Sequence, residues 1–259
     1  MTAQPLPAVF VGHGSPMNAL EDNAYTRAWA ELGAAIPRPR AVLAISAHWY
    51  VAGSRVTAGT APRTIHDFGN FPPALHQFAY PAPGDPALAA RVHELLAPTP
   101  VADDASWGLD HGAWSVLCHV FPAADVPVVQ LSIDDRLTPA AHYELAKRLA
   151  PLRDEGVLIV GTGNVVHNLD VFRGGAGSGP PGWAARFEER IQAAVAADDV
   201  RTLVDAPEHA PDAALAVPDI DHYLPLLYVA ATRRAGDSIA FPTKGVEFGA
   251  ISMLSVRFG

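Results

Sequence analysis

Short runs of apolar residues recur along the chain and alternate with longer amphipathic segments. The runs richest in β-branched residues lie between turn-forming residues: Ala8 to Val11, Ala41 to Ser46, Val126 to Ile133 and Val157 to Gly161. Continuous apolar runs of this length are typical of strands that are buried on both faces of a parallel sheet. The pattern therefore predicts a central, mostly parallel sheet.

Helical periodicity fills most of the intervals between these runs. The candidate helices are Tyr25 to Ile36, Pro86 to Leu96, Pro139 to Leu152, Trp183 to Val204 and His222 to about Arg234. Alternating strands and helices indicate an α/β fold in which helices flank the sheet. Ser238 to Phe258 has the pattern of two strands around Lys244-Gly245, which predicts a C-terminal β-hairpin. The chain has 259 residues and no linker-like segment, which favours a single domain over residues 1–259.

Two segments have the composition of long loops. Residues 57–85 contain five prolines, and residues 172–183 are dense in glycine and proline. Loops of this length in a compact domain often cover an active site. We predict that residues 57–85, called the lid segment below, cover the pocket with aromatic side chains: Phe68, Phe71, Phe78 and Tyr80. The alternative is that these aromatics only pack the segment onto the sheet.

Three histidines follow the predicted strands closely. His13 follows the first strand, His48 ends the second, and His167 comes after the strand that ends at Gly161. Ligands of open α/β sheets bind at the carboxyl edge of the strands, so these side chains are expected in one crevice. One histidine beside a strand is usually structural, but three of them flanked by small residues favour a metal site with open coordination positions.

Two further histidines lie at or just before the starts of predicted helices. His222 follows Asp221, which has the chemistry of a helix N-cap, and Pro225 is tolerated in the first turn of the helix that follows. A histidine at a helix start commonly faces a cleft. His111 lies in a predicted loop before an apolar helix that begins near Trp114.

Composition narrows the classes of partner and location. The formal net charge is −9, from 27 acidic and 18 basic residues, and basic residues do not cluster. This predicts that nucleic acid is not a partner, since phosphate binding needs clustered Lys and Arg. The chain shows neither a secretory leader nor an apolar run of about 20 residues, which predicts a cytoplasmic protein without membrane contact. A single cysteine, Cys118, rules out an intrachain disulfide.

Five motifs in a fixed order resemble a known enzyme family. They are Gly12-His13-Gly14-Ser15-Pro16, Ser46-Ala47-His48-Trp49, Gly108-Leu109-Asp110-His111-Gly112, Gly163-Asn164-Val165-Val166-His167-Asn168-Leu169 and Asp221-His222-Tyr223-Leu224-Pro225-Leu226. This order resembles the DODA-type extradiol ring-cleaving dioxygenases, the 4,5-DOPA dioxygenase-like branch of the class III (LigB-like) superfamily. The resemblance covers nearly the whole chain, including Asp67-Phe68-Gly69-Asn70-Phe71 and Phe248-Gly249-Ala250-Ile251-Ser252-Met253.

The resemblance implies roles for the five histidines. His13, His48 and His222 would hold the metal. His167 would lie close to it as the acid/base, although some relatives count it among the metal-contacting residues. His111 would line the substrate side and is the second catalytic candidate. The implied fold is a mostly parallel sheet wrapped by helices, in agreement with the hydrophobic pattern.

The resemblance also implies a cofactor and substrates. One divalent metal ion per chain is expected, Fe(II) for ring cleavage, with Zn(II) as an alternative occupant. The expected substrates are a small DOPA-like catechol and O2, and the expected assembly is a monomer or small homo-oligomer. Two other functions stay open at this point: a zinc-dependent hydrolase on the same site, and a Memo-like binding protein that keeps the fold without the chemistry.

Overall fold

Within residues 4–171 and 180–259, which the computed structural model describes, an eight-stranded sheet runs through the centre of the molecule. The strands of this sheet and of a separate two-stranded sheet are, in chain order, β1 (Ala8–Gly12), β2 (Ala41–Val51), β3 (Ser54–Thr57), β4 (Val101–Asp104), β5 (Val128–Asp134), β6 (Val157–Gly163), β7 (Ile239–Ala240), β8 (Val246–Glu247), β9 (Ile251–Ser252) and β10 (Val256–Phe258).

The large sheet is parallel at its centre. Its order is β4-β3-β5-β2-β6-β1-β10-β7, and β8 pairs with β9 in the small sheet. Strands β5, β2, β6 and β1 run in the same direction, whereas β10 runs antiparallel to both β1 and β7. The carboxyl ends of the four central strands therefore lie on one edge.

Helices cover both faces of this sheet. In the described ranges they are α1 (Ala24–Ala35), α2 (Pro73–His76), α3 (Pro86–Leu96), α4 (His111–Val120), α5 (Pro139–Lys147), α6 (Gly182–Ala197), α7 (Val200–His209), α8 (Ala213–Ala216) and α9 (Leu224–Ala231). Apolar residues of α1 and α4 join the core on one face, and those of α3, α5, α6, α7 and α9 join the core on the other.

Strand β2 illustrates why the central strands are apolar throughout. Leu43 and Ile45 point into the core that contains α9, whereas Val42 and Ala44 point into the core that contains α4. Successive side chains of a strand face opposite sides of the sheet, and here both sides are covered. The prediction of a single α/β domain with a mostly parallel sheet flanked by helices is confirmed.

Several elements differ from the predicted ones. Strands β3 and β4 were not predicted, because both are short and β4 ends in Asp103-Asp104. The helix expected from Trp183 to Val204 is two helices, α6 and α7, since Asp198 caps α6 in the left-handed conformation with φ of 56°. A left-handed residue ends an α-helix.

The C-terminal β-hairpin is present, but its turn lies elsewhere. Strand β8 pairs with β9, and the turn between them contains Phe248 and Gly249, both at positive φ. The expected turn at Lys244-Gly245 precedes β8 and is therefore wrong. Of the predicted loop at residues 172–183, residues 172–179 lie outside the described residues, and Gly182 begins α6.

Among the described helices, none has the length and apolar character needed to cross a membrane. The predicted cytoplasmic location and the predicted assembly state stay predictions.

Candidate functional site

A cleft of about 740 Å³ opens at the carboxyl edge of the central strands. All five histidines singled out from the sequence line it: His13, His48, His111, His167 and His222. The other lining residues are Gly14, Ser15, Pro16, Asp67, Phe68, Phe71, Leu169, Asp219, Asp221, Phe248 and Ile251.

The end of strand β6 positions two of these histidines through its backbone. The backbone N–H of His13, directly after β1, donates to the carbonyl of Gly163 at 3.1 Å. The carbonyl of His222 accepts from the N–H of Asn164 at 2.8 Å. A β-carbon at Gly163 would overlap this His222 carbonyl, so the close approach requires glycine.

His48 does not end its strand as expected. It lies inside β2, where the register with β5 shifts between Ile45 and Tyr50. Such an irregularity turns a side chain away from the regular alternation of a strand. The Nε2 atom of His48 comes within 3.2 Å of Nε2 of His13.

His222 is oriented by the residue before it. Asp221 does not cap the helix, because α9 begins at Leu224 and Tyr223 occupies the cap position. The Asp221 carboxylate instead accepts from the backbone N–H of His222 at 2.7 Å and lies 3.0 Å from its Nδ1. The other ring nitrogen, Nε2, is buried and has no hydrogen-bond partner among the described atoms.

These three imidazoles form a donor set that fits a metal ion. One ring nitrogen from each of His13, His48 and His222 lies within 4.8 Å of the other two. Burial lowers the pKa of His13 and of His48 well below the usual value of 6.5, and the charges of neighbouring histidines add to this effect. Both rings are therefore neutral at physiological pH, and neutral imidazole is a common metal ligand. The unpartnered, buried Nε2 of His222 completes a set that could hold a cation.

His167 lies beside this set. Its ring stacks on that of His222, with centroids 3.6 Å apart and planes 3° from parallel. Its backbone N–H donates to the carbonyl of Ala216 at 2.8 Å. Burial, helped by the charge of His222, lowers the pKa of His167 to about 3, so its ring is a neutral base at physiological pH.

His111 is the first residue of α4, rather than part of a loop before it. Its ring centroid lies 3.9 Å from that of His48. Asp67 contacts both rings, with Oδ1 3.0 Å from Nδ1 of His111 and Oδ2 3.4 Å from Nδ1 of His48. Burial alone would raise the pKa of Asp67, but the close imidazole of His111, its charge and its backbone N–H outweigh this effect and hold the pKa below its usual value.

A buried carboxylate fixes the start of α4 against the sheet. Asp110 accepts from the hydroxyl of Ser46 at 2.7 Å, from the side-chain amide of Gln130, and from the N–H of Ala113 at 3.1 Å. Burial raises the pKa of Asp110 to about 6. Because Ser46 is on β2 and Gln130 on β5, Asp110 holds His111 close to the strand that carries His48.

The lid segment contributes to the cleft only in part. Phe68 and Phe71 line the cleft, as predicted. Phe78 instead stacks on Trp114 with centroids 5.1 Å apart, and buried Tyr80 donates to the carbonyl of Phe121 at 3.0 Å. The prediction therefore holds for the first two aromatics, and the packing alternative holds for the other two.

Four cleft residues were missed from the sequence: Asp67, Asp219, Asp221 and Phe248. Asp67 and Phe248 lie in segments that carry the family resemblance, which is the signal that could have found them. Asp221 was recognised but was given a capping role, and nothing in the sequence pattern sets Asp219 apart from a solvated acid.

Comparison with known proteins identifies the family. A family model described as the catalytic LigB subunit of aromatic ring-opening dioxygenase matches residues 7–259. A 4,5-DOPA dioxygenase extradiol of Escherichia coli (strain K12) is 49% identical, over 100% of this chain and 97% of the relative. A protein of the same name from Beta vulgaris is 39% identical, over 84% of this chain and 83% of the relative.

A solved structure agrees with these relatives. The crystal structure of an uncharacterized protein of Escherichia coli K12 superposes with a TM-score of 0.86 at 46% identity, and the match covers 98% of this chain and 100% of that one. The predicted enzyme class, an extradiol ring-cleaving dioxygenase, is confirmed by the family and the named relatives. The chain belongs to the LigB family of aromatic ring-opening dioxygenases.

Proposed function

We propose that this protein is an Fe(II)-dependent extradiol dioxygenase that uses O2 to open a catechol ring beside its two hydroxyls. We assign this activity to residues 1–259 as one catalytic domain. One observation carries the proposal: three imidazole nitrogens, from His13, His48 and His222, converge at the carboxyl edge of the sheet in a cleft with aromatic walls. The names of the relatives support the same reaction class.

His13, His48 and His222 would hold the metal. Bound Fe(II) would supply open coordination positions and a path for electrons from catechol to O2, which Zn(II) lacks because it has no redox chemistry. The protein positions the ligands through backbone bonds at Gly163 and Asn164. Burial keeps the rings of His13 and His48 neutral, so their lone pairs stay available.

His167 acts as the acid/base rather than as a further ligand. Imidazole lone pairs lie in the ring plane, and the planes of His167 and His222 are parallel and stacked. Lone pairs of two stacked rings run side by side, so they do not converge on one point. His167 is thereby left free to accept a catechol proton and to return it later in the reaction. His111, on the other side of His48, faces the substrate and is the second catalytic residue.

The cleft walls suggest the kind of catechol that binds. Phe68, Phe71 and Phe248 offer flat apolar surface for an aromatic ring. The described lining residues include the acids Asp67, Asp219 and Asp221 but no Lys or Arg. This distribution favours a catechol whose substituent is neutral or carries an ammonium group. DOPA has such an ammonium group, next to its carboxylate.

Oxygen uptake with a panel of catechols tests the proposal. After anaerobic loading with Fe(II), we expect one O2 consumed per catechol and a product heavier by both oxygen atoms. The zinc form should not consume O2. Failure of every catechol to drive uptake in the iron form would contradict the proposal. Hydrolysis of an ester or amide panel by the zinc form would favour the hydrolase, and tight ligand binding without turnover would favour the binding protein.

Two variants separate the ligand and acid/base roles. His48→Ala should lose metal. His167→Ala should keep metal but react roughly 10²–10⁴-fold more slowly in single turnover, which is the typical contribution of positioned proton transfer. Equal loss of metal from both variants would make His167 a ligand. Full rate in His167→Ala would move the proton transfer to His111.

A further inference from the structure

Asp67 reaches two histidines from the lid segment. It lies between β3 and α2, and its side chain is only 19% exposed. Its two carboxylate oxygens face different rings: Oδ1 is 3.0 Å from Nδ1 of His111, and Oδ2 is 3.4 Å from Nδ1 of His48. Both contacts involve Nδ1, so Nε2 is the nitrogen that each ring has left for the cleft.

The carboxylate is fixed in this place by the backbone. The N–H of His111 donates to Oδ1 of Asp67 at 2.9 Å. This N–H is the first of helix α4, where the positive end of the helix dipole stabilises a negative charge. Asp67 is therefore held by α4 and does not depend on the imidazoles for its position.

A carboxylate at this place selects one tautomer of each ring. A neutral imidazole carries its proton on one nitrogen and a lone pair on the other. Neither contact is aligned as a straight hydrogen bond, and the selection is electrostatic: a lone pair on Nδ1 would face a carboxylate oxygen and be repelled, whereas an N–H there is attracted. The favoured tautomer has Nδ1–H and a lone pair on Nε2. For His48 this is the nitrogen that lies 3.2 Å from Nε2 of His13.

We propose that Asp67 is a positioning residue that keeps His48 and His111 in their Nδ1–H tautomers and thereby prepares Nε2 of His48 for metal binding and Nε2 of His111 for the substrate. The effect of Asp67 on metal binding rests on the proposed function, whereas its effect on the tautomers does not. Because Phe68 follows Asp67 and lies 5.5 Å from the His111 ring, the segment that walls the cleft also sets the chemistry of the histidines.

Asp67→Asn is the sharpest test, because it keeps the size and shape of the side chain. One oxygen becomes an NH2 group, which donates and cannot accept. The ring that faces this group has to present a lone pair at Nδ1, which moves its proton to Nε2. Nitrogen-15 NMR of histidine-labelled, metal-free protein distinguishes the two tautomers, and His48→Gln and His111→Gln assign the signals.

We expect Nδ1–H on both rings of the wild type and Nε2–H on at least one ring of Asp67→Asn. Zinc affinity, measured by titration calorimetry, should fall roughly 10–100-fold, as is typical when a partner of a metal-ligating histidine is removed. Asp219→Asn removes the same charge from the exposed rim of the cleft and should alter neither tautomers nor zinc affinity.

Three outcomes would overturn the proposal. The first is unchanged tautomers and zinc affinity in Asp67→Asn. The second is an Nε2–H signal from either ring of the wild type, which needs no variant to fold. The third is two zinc ions per chain, since His48, Asp67 and His111 would then be ligands of a second ion. Catechol turnover enters none of these measurements, so failure of the proposed reaction would be seen separately.

Discussion

Gly112 leaves the space that the ring of His48 occupies. It is the second residue of α4, and a β-carbon there would lie 2.7 Å from Cδ2 of His48 and 2.5 Å from Oγ of Ser46. Carbon atoms in contact are normally about 3.5–4.0 Å apart, so in Gly112→Ala the ring has to move by about 0.8–1.3 Å, the difference from 2.7 Å. The substitution would therefore displace the ring that we propose as a metal ligand.

Helix propensity and packing predict opposite results for this substitution. Alanine is favoured over glycine inside a helix by about 0.8–1.0 kcal/mol. Overpacking of a buried site costs about 1–3 kcal/mol. The Ser46 hydroxyl can rotate away only by giving up its 2.7 Å bond to Asp110. We expect a small change in the free energy of unfolding, but a loss of roughly 100-fold in kcat/KM, as a 1 Å misplacement can cause.

Metal content after saturation and desalting, oxygen-uptake kinetics and thermal unfolding measure these effects on one preparation. Gly182→Ala is the matched control, since it lies in the first turn of α6 and its β-carbon would meet only the flexible guanidinium of Arg186, at 3.1 Å. Adding Ser46→Ala to Gly112→Ala relieves the hydroxyl contact but not the ring contact, so the defect should persist. Wild-type metal content and turnover in Gly112→Ala would refute the reasoning.

Three further predictions concern stability and specificity. Arg153→Met should lower the free energy of unfolding by roughly 3–5 kcal/mol in urea denaturation, because it removes the ion pair of the buried guanidinium with half-buried Asp237 and its hydrogen bonds to three backbone carbonyls; a loss no larger than that of exposed Arg27→Met would contradict this. Burial lowers the pKa of His142 to about 4 in the folded protein. Its contribution to the free energy of unfolding is therefore complete above the unfolded-state pKa of about 6.5 and is lost as the pH falls towards 4. His142→Gln should reduce the dependence of the free energy of unfolding on pH in this range. An unchanged pH dependence would exclude His142 as its source. A catechol with an alkylammonium substituent should have a lower KM than one with a carboxylate, and the opposite order would show that the cleft acids do not set the preference.

The predictable part of the site is the part built on strand ends. β1 and β6 are marked by continuous apolar runs, so the places of His13 and His167 after them follow from the sequence. His48 was predicted to end its strand, but the strand continues to Val51 through a register shift. Such a shift depends on pairing with β5 and leaves no local signal.

The part that could not be predicted depends on contacts between distant segments. Asp67 was quoted as part of a motif, but its contact with His111 bridges the lid segment and α4. Asp221 has the chemistry of an N-cap, and only the actual start of α9 shows that it binds His222 instead. The sequence does not mark the end of α6 at Asp198 either, since a left-handed aspartate replaces the glycine that is usual at a helix end.

The same division separates reaction from specificity. The backbone at Gly163 and Asn164 holds His13 and His222, so the spacing of these two proposed ligands is set by the pairing of core strands and is stiff. The walls that would meet the substrate ring come from the lid segment, through Phe68, and from the hairpin turn, through Phe248. Exchanging residues in these two segments should therefore change which catechol is used while leaving metal affinity intact. Asp67 is the exception, because it belongs to the lid segment and also contacts His48.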